Sequence, residues 1–479
     1  MELFSDRPGD EGLPGRERRL AMAAVMTTTT MAVFDGSMVN IALPQIARAL
    51  DVSSSDAIWV ANGYLLSVAM TLAIFAALAT RFGFRALFAI GLGVFTLASL
   101  GCAMSSSLEM LIAMRLLQGI GGAATLSIGP AILRSIFPNR LLGRILGLNA
   151  LLVAASTAIA PILGGTLLSA MSWQWLFAIN IPLGIIALTL TLRVIPGKSS
   201  PAREPFDIAG AVLSAVMLGS LIMTARTFSQ PGDGALSFDT LTTAVAFGLT
   251  AVITGLAFIW RQRHAPKPLL PLGMFASMRF SLAALTSMAS FVSQGITFVA
   301  LPFLFQSVYG YSAFMSALLF TPWPIGIILA APYAGRLADR YPSAIISTVG
   351  LCLFAVGLAL LALLPDHAQV WDIGVRSLLC GIGFGCFQSP NNREMLSNAS
   401  RENSGYASGV LAIMRTFGQC LGAAFVGVIL AAYVQSGGEP LQLAVQEAQA
   451  VRLSLWLAAA ATILAITISF SRIRSRREK

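Results

Sequence analysis

Runs of about twenty residues with hardly a charged side chain recur from one end of the chain to the other. That is the length a helix needs to cross about 30 Å of hydrocarbon. Inside hydrocarbon every backbone amide must be bonded within the chain, so such runs fold as helices. Fourteen spans are predicted, centred near Met31, Ala69, Val94, Gly121, Ser156, Pro182, Met217, Thr250, Gly295, Trp323, Phe354, Gly381, Leu421 and Leu464. Only 11% of the residues are charged and 56% are hydrophobic, whereas a soluble domain carries about a quarter charged. A water-soluble enzyme and a single-span anchor are both excluded. The fold class is an all-α integral membrane protein with 14 transmembrane helices.

The net charge of +10 would suggest a nucleic-acid partner in a soluble protein. Its distribution argues against one. Of the 31 Lys and Arg, 25 fall in alternate loops and tails on one side of the membrane; the exceptions are Arg48, Arg115, Arg226, Arg376, Arg415 and Arg452. The positive-inside rule makes that side, with both termini, cytoplasmic, and the expected location is the inner (plasma) membrane. The first nineteen residues are polar and the apolar run after them exceeds a signal-peptide core, so the N-terminus reads as retained. Cys102, Cys352, Cys380, Cys386 and Cys420 show no CxxC spacing, and only His264 and His367 occur. No disulfide, metal or other cofactor is expected.

No loop is large enough to bind ATP. The Gly197-Lys198-Ser199 triplet has Leu192 where a phosphate-binding loop needs its first Gly. With no Ser/His/Asp set and no HExxH, the chain does not read as an enzyme. One acid lies deep in a span: Asp35, about 22 Å from the start of the first span at 1.5 Å per residue. A carboxylate there faces a cavity or a partner. It reads either as a helix-tying ion pair or as a proton site whose pKa burial brings toward neutrality. Arg115, Arg376 and Arg415 are also placed inside spans. Arg115 precedes Gly119, Gly121 and Gly122, which permit close helix approach; it is either a packing residue or the counter-charge to Asp35.

Several segments together resemble the major facilitator superfamily, and more closely its fourteen-span drug:proton antiporter family of multidrug exporters. Phe34-Asp35-Gly36-Ser37-Met38-Val39-Asn40-Ile41-Ala42-Leu43-Pro44 is similar to that family's first-span signature. Leu111 to Ala123 resembles the fourth-span motif around a buried Arg. Trp173 to Gly184 resembles the entry to the sixth span, Phe206-Asp207-Ile208-Ala209-Gly210 the start of an inserted seventh, and Leu301 to Ser312 the exit of the ninth. Ser156, Ala160-Pro161 and Gly164-Gly165 resemble the antiporter motif G-x-x-x-G-P-x-x-G-G, with two glycines replaced by other small residues. The loop after the second span departs from G-x-L-A-D-R-x-G-R. Thr80 stands where the family has its acid, beside Arg81, Gly83 and Arg85. The second half keeps Gly335-Arg336-Leu337-Ala338-Asp339-Arg340, an internal repeat in which Asp339 is the expected latch between halves.

The resemblance implies the major facilitator fold. Residues 16-195 form the N-terminal six-helix bundle, residues 196-265 the inserted transmembrane helices 7 and 8 with their linkers, and residues 266-473 the C-terminal six-helix bundle. Residues 1-15 and 474-479 are cytoplasmic tails. Such folds bind substrate near the midplane between halves. Cavity candidates in the first half are Phe34, Asn40, Tyr64 and Gln118; the second half offers Phe291, Gln294, Phe298, Gln306, Trp323, Gln388 and Arg415. Asp35 and Arg115 are the expected proton-coupling pair. The function implied is a proton-coupled exporter of small amphipathic toxic compounds, cationic or neutral, working by alternating access. A narrow-specificity metabolite exporter and a non-transporting membrane sensor are the alternatives. Expected partners are a small-molecule substrate, protons and the lipid bilayer, with no nucleic acid. The chain is expected to be a monomer, and no element marks an envelope adaptor partner.

Overall fold

A computed structural model describes residues 12–138, 141–197, 206–229, 238–266, 268–366, 368–398, 404–434 and 440–474, with Phe4 and Asp10. Most of the expected N-terminal tail, Lys198, Ser199, His367 and the basic tail after Arg474 lie outside the described residues. The described chain is helical, with no strand among the described residues. The helices are α1 (Gly15–Ala49), α2 (Ser54–Phe82), α3 (Phe84–Ala103), α4 (Leu108–Ile136), α5 (Leu142–Ala170), α6 (Trp175–Ala178), α7 (Asn180–Val194), α8 (Ile208–Phe228), α9 (Phe238–His264) and α10 (Met278–Phe303). They continue with α11 (Ala313–Phe320), α12 (Pro322–Leu337), α13 (Ser343–Ala362), α14 (Val370–Ser397), α15 (Ser404–Tyr433) and α16 (Pro440–Arg474).

Among the described residues, 12 segments are long and apolar enough to cross a membrane, with α6–α7 and α11–α12 each counted as one. The two long helices outside that count are α1 and α5, of 35 and 29 residues. Four successive threonines, Thr27 to Thr30, and Asp35 and Asn40 dilute the hydropathy of α1. In α5 the side chains of several residues before Ala155 lie outside the described ones, and the apolar stretch Ala155–Ala170 is what is described of it.

Helix starts follow local chemistry. The Ser53, Ser107 and Ser312 side chains each accept a backbone N–H of the first turn, at the heads of α2, α4 and α11. Between α2 and α3 the chain reverses at Gly83, whose φ of 90° suits only glycine.

The helices fall into two groups by their contacts, and one buried apolar cluster runs through both. In the first, α1 lies against α2, α4, α5 and α7, and α3 packs between α4 and α7. In the second, α10 lies against α15 and α16, and α14 against α12 and α13. The repeat is visible in one contact. A Cβ on Gly121 of α4 would sit 2.5 Å from the Gly91 carbonyl of α3. A Cβ on Gly383 of α14 would sit 2.9 Å from the Gly350 carbonyl of α13. Only glycine lets either pair of backbones meet so closely.

The pair α8–α9 packs on itself and leans, through α8, on α2 and α15. α9 shows apolar side chains outward at Val245, Leu249, Val252 and Leu256, as expected of a helix facing lipid. Asp207 ties the pair together. It caps α8 through the Gly210 amide at 3.0 Å and accepts from Arg261 Nε at 2.9 Å and Gln262 Nε2 at 2.8 Å. Burial pushes its pKa up, but the Gly210 amide, Arg261 and Gln262 outweigh burial and hold the carboxyl below its ordinary range. A depressed folded pKa contributes stability at neutral pH that is lost as pH falls through it. Asp207→Ala is expected to cost about 2–4 kcal/mol, a cap plus charged hydrogen bonds, read as a lower unfolding midpoint in detergent at pH 7. That deficit should shrink in acid; a variant as stable as wild type at pH 7 would contradict this account.

Candidate functional site

Six helices contribute to a cluster around one carboxylate. Asp35 stands in the middle of α1, and its side chain is completely enclosed. Arg115, two turns into α4, pairs with Asp35 Oδ2 through Nη1. The same Nη1 donates to Gln118 Oε1 at 2.6 Å, and Arg115 Nε donates to the Val60 carbonyl of α2 at 2.9 Å. Gln118 lies one turn further along α4. Its Nε2 donates to Asp35 Oδ1 at 2.8 Å and to Ser99 Oγ of α3 at 2.9 Å. Asn180, the first residue of α7, donates to Asp35 Oδ1 at 3.1 Å. The guanidinium lies over Tyr64 at 4.6 Å and Phe177 at 5.5 Å.

The geometry follows from helix spacing. Residues 115 and 118 share a face, and Gly119 and Gly122 bring α4 against Tyr64 of α2. Here one charged donor and two amide donors surround the carboxylate. The cluster is neutral when Asp35 is ionised. Adding a proton to Asp35 would leave Arg115, which keeps its own proton, as an unbalanced buried charge.

A second feature lies where the two groups meet. Ser37, Asn40 and Ile41 of α1, Thr157 and Pro161 of α5, Phe298 of α10 and Phe320 of α11 line a narrow cavity. Among the described residues, Asn40 Oδ1 and Gln306 Oε1 are buried without a hydrogen-bond partner. At one end of this interface the groups are in tight contact. Gln306 Nε2 donates to the Ile41 carbonyl at 2.7 Å, and Ser54 of α2 donates to Glu447 of α16 at 2.6 Å. A Cβ on Gly165 of α5 would lie 2.8 Å from the Ala313 carbonyl of α11.

The cavity candidates separate accordingly. Asn40 and Phe298 line the cavity, and Phe34 packs against the core beside it. Tyr64 and Gln118 belong to the Asp35 cluster. Gln294 accepts from Gln419 of α15 at 2.9 Å, and Gln388 is half-buried on α14. Two aromatic candidates pack among other rings in this conformation. Phe291 is buried 5.4 Å from Phe384, and Trp323 is fully buried among Phe298, Phe320 and Phe354. Both belong to the buried apolar cluster that also takes in Phe298 and Phe320, where edge-to-face ring pairs add to the area they bury. Asn180, Ser99, Phe177 and Gln419 were not read from the sequence as site residues. The only signal for Asn180 was its place within the segment resembling the sixth-span entry.

The loop residues make local contacts in this conformation. Arg85 donates to the Leu192 carbonyl at the end of α7 at 2.5 Å, and Arg81 stacks on Phe82. The Thr80 side chain lies outside the described residues. Gly335 is half-buried and Arg340 exposed. Asp339 pairs with Arg393 of α14, on its own group of helices and not across the interface. Arg376 is likewise not a deep charge: it pairs with Asp372 one turn away at the start of α14, at 2.8 Å. An ion pair as exposed as Asp339–Arg393 contributes about 0–1 kcal/mol. Asp339→Asn is thus expected to keep transport within about fivefold of wild type, measured as initial rates at matched expression. A near-complete loss would mean Asp339 acts in another state of the cycle.

Comparison with known proteins bears on the family and the fold. The Major Facilitator Superfamily model matches residues 25–423. The chain is 40% identical to the uncharacterized transporter YebQ of Escherichia coli (strain K12) over 98% of both chains. It is 31% identical to the tetracenomycin C resistance and export protein of Streptomyces glaucescens, covering 88% of this chain and 78% of that one. Among solved structures, a bacterial homolog of the human lysosomal transporter Spinster, in an inward-facing and unoccupied conformation, superposes with a TM-score of 0.70 at 15% identity, covering 98% of both chains.

Proposed function

The chain belongs to the major facilitator superfamily, a family of transporters and not of enzymes, and we propose that within it this protein is a proton-coupled exporter of small amphipathic compounds. The observation that carries the reading is the Asp35 cluster: one wholly enclosed carboxylate, balanced by Arg115 and bonded by Gln118 and Asn180. Ionised and protonated forms of such a cluster prefer different helix arrangements, and a transporter needs that dependence to couple proton entry to a conformational change. Similarity to the tetracenomycin C resistance and export protein supports outward transport of a toxic compound.

In this reading there are fourteen spans: the 12 apolar segments together with α1 and α5. Residues 16-195 and 266-473 are the two six-helix bundles, and α8–α9 is the inserted pair. The charge distribution orients both termini to the cytoplasm of an inner membrane. The contacts at Gly165, Gln306 and Glu447 then lie at the outer end, and the conformation is inward-facing. Entry of one proton across 100 mV supplies about 2.3 kcal/mol, enough for a substrate gradient of about fiftyfold.

The test is purified protein in proteoliposomes without ATP, given an imposed ΔpH and a panel of unrelated amphipathic compounds. Accumulation that collapses with an uncoupler is expected. Accumulation of none of them, or accumulation indifferent to the uncoupler, would overturn the reading.

A further inference from the structure

We propose that the exported compound carries an anionic group, a carboxylate or sulfonate on an amphipathic body, and that Arg415 of α15 holds it; this rests on the transport reading above. Arg415 is half-buried in the middle of a helix of the second group. Among the described residues its guanidinium has no carboxylate, carbonyl or aromatic face as partner. The other deep arginines are matched: Arg115 by Asp35, and Arg472 by Asn391 and Glu394. A guanidinium keeps its proton, so its charge must be balanced from outside the chain or remain costly.

Its position says where the balancing group comes from. On α15, Gly418 and Gly422 meet the backbone of α10, while Phe417 and Cys420 pack with Trp59 and Leu66 of α2 in the other group. Arg415 shares a face with Gln419, four residues on, and that face points into the wedge between these two contacts. Gln419 bonds to Gln294, and Phe298, one turn beyond Gln294 on α10, lines the cavity.

No carboxylate competes for this role. Asp35 is enclosed with its donors, Glu447 accepts from Ser54, and Glu394 faces Arg472. A cationic compound would find a like charge at Arg415, and the buried carboxylates Asp35 and Glu447 already engaged. An anionic one would find an unmatched guanidinium beside an apolar wall, with Asn40 Oδ1 left to accept from a hydroxyl or amine on its body.

The test uses three probes on the full-length protein in detergent with no gradient: dansylglycine (a carboxylate), dansylglycinamide (neutral) and ethidium (a cation). Binding is read by fluorescence titration. Dansylglycine is expected to bind wild type about tenfold or more tighter than its amide, as a charge-assisted bond requires. Arg415→Gln should erase that preference, and Arg415→Lys should retain most of it. Saturable amide or ethidium binding as tight as the acid, no saturable dansylglycine binding, or an unchanged preference in folded Arg415→Gln would overturn the proposal. If Arg415→Gln does not purify folded, the wild-type acid-versus-amide comparison decides alone. Because no gradient is present, failure of proton coupling leaves these affinities intact. Conversely, loss of acid preference leaves uncoupler-sensitive transport intact.

Discussion

Asp35→Asn is expected to reduce proton-driven accumulation to background while substrate exchange down its own gradient continues. Asparagine keeps the size and the hydrogen-bonding capacity of the side chain but removes its titration. It therefore imitates the protonated state permanently. The Gln118 and Asn180 amides retain an acceptor at Oδ1, so the cluster can still assemble. Arg115 loses its counter-charge, and breaking a buried pair from one side costs about 3–5 kcal/mol. The variant should accordingly unfold at a lower temperature, and the double variant Asp35→Asn/Arg115→Gln should recover part of that loss without recovering accumulation. Proteoliposomes loaded with substrate separate the two activities: counterflow reports the conformational cycle, and uptake under an imposed ΔpH reports coupling. Continued uphill accumulation in Asp35→Asn would remove Asp35 from the proton path.

The ease of reading Asp35 and Arg115 from sequence, against the difficulty of reading their neighbours, has a physical basis. A charge in a run of apolar residues cannot be accommodated without a partner, so its position alone marks it. Gln118, Ser99 and Asn180 carry no such penalty on sight. Small and amide side chains recur in membrane helices as ordinary interhelical contacts, so Gln118 was read as cavity lining although it bonds Asp35 directly. Aromatic residues were harder still. A buried membrane helix is apolar all round, and periodicity cannot tell the core face of Trp323 from the cavity face of Phe298. For Asp339 the repeat gives the position, in the loop after α12, but not the partner, which in this conformation is Arg393 on its own group of helices.

The contact that closes the α5–α11 end of the interface gives the second large effect. At Gly165 an added Cβ would meet the Ala313 carbonyl and the Ala317 Cβ at 2.8 Å and the Phe314 Cα at 2.9 Å. Most of these atoms are backbone of α11 and cannot rotate away. Pro161, one turn earlier on α5, lines the cavity, so the same helix face both walls the cavity and seals one end of it. Gly165→Val therefore penalises this conformation and leaves an arrangement with α5 and α11 apart untouched. Overpacking of this kind costs about 1–3 kcal/mol, which shifts a two-state balance by between about fivefold and about 100-fold. Transport should fall by a comparable factor, with Gly165→Ala intermediate, while the unfolding midpoint changes little. A single cysteine placed at Ser37, in a variant lacking the native cysteines, should become more reactive toward an impermeant thiol reagent added from the α5–α11 end. Wild-type transport together with unchanged labelling in Gly165→Val would show that the two groups of helices do not need this contact to complete the cycle.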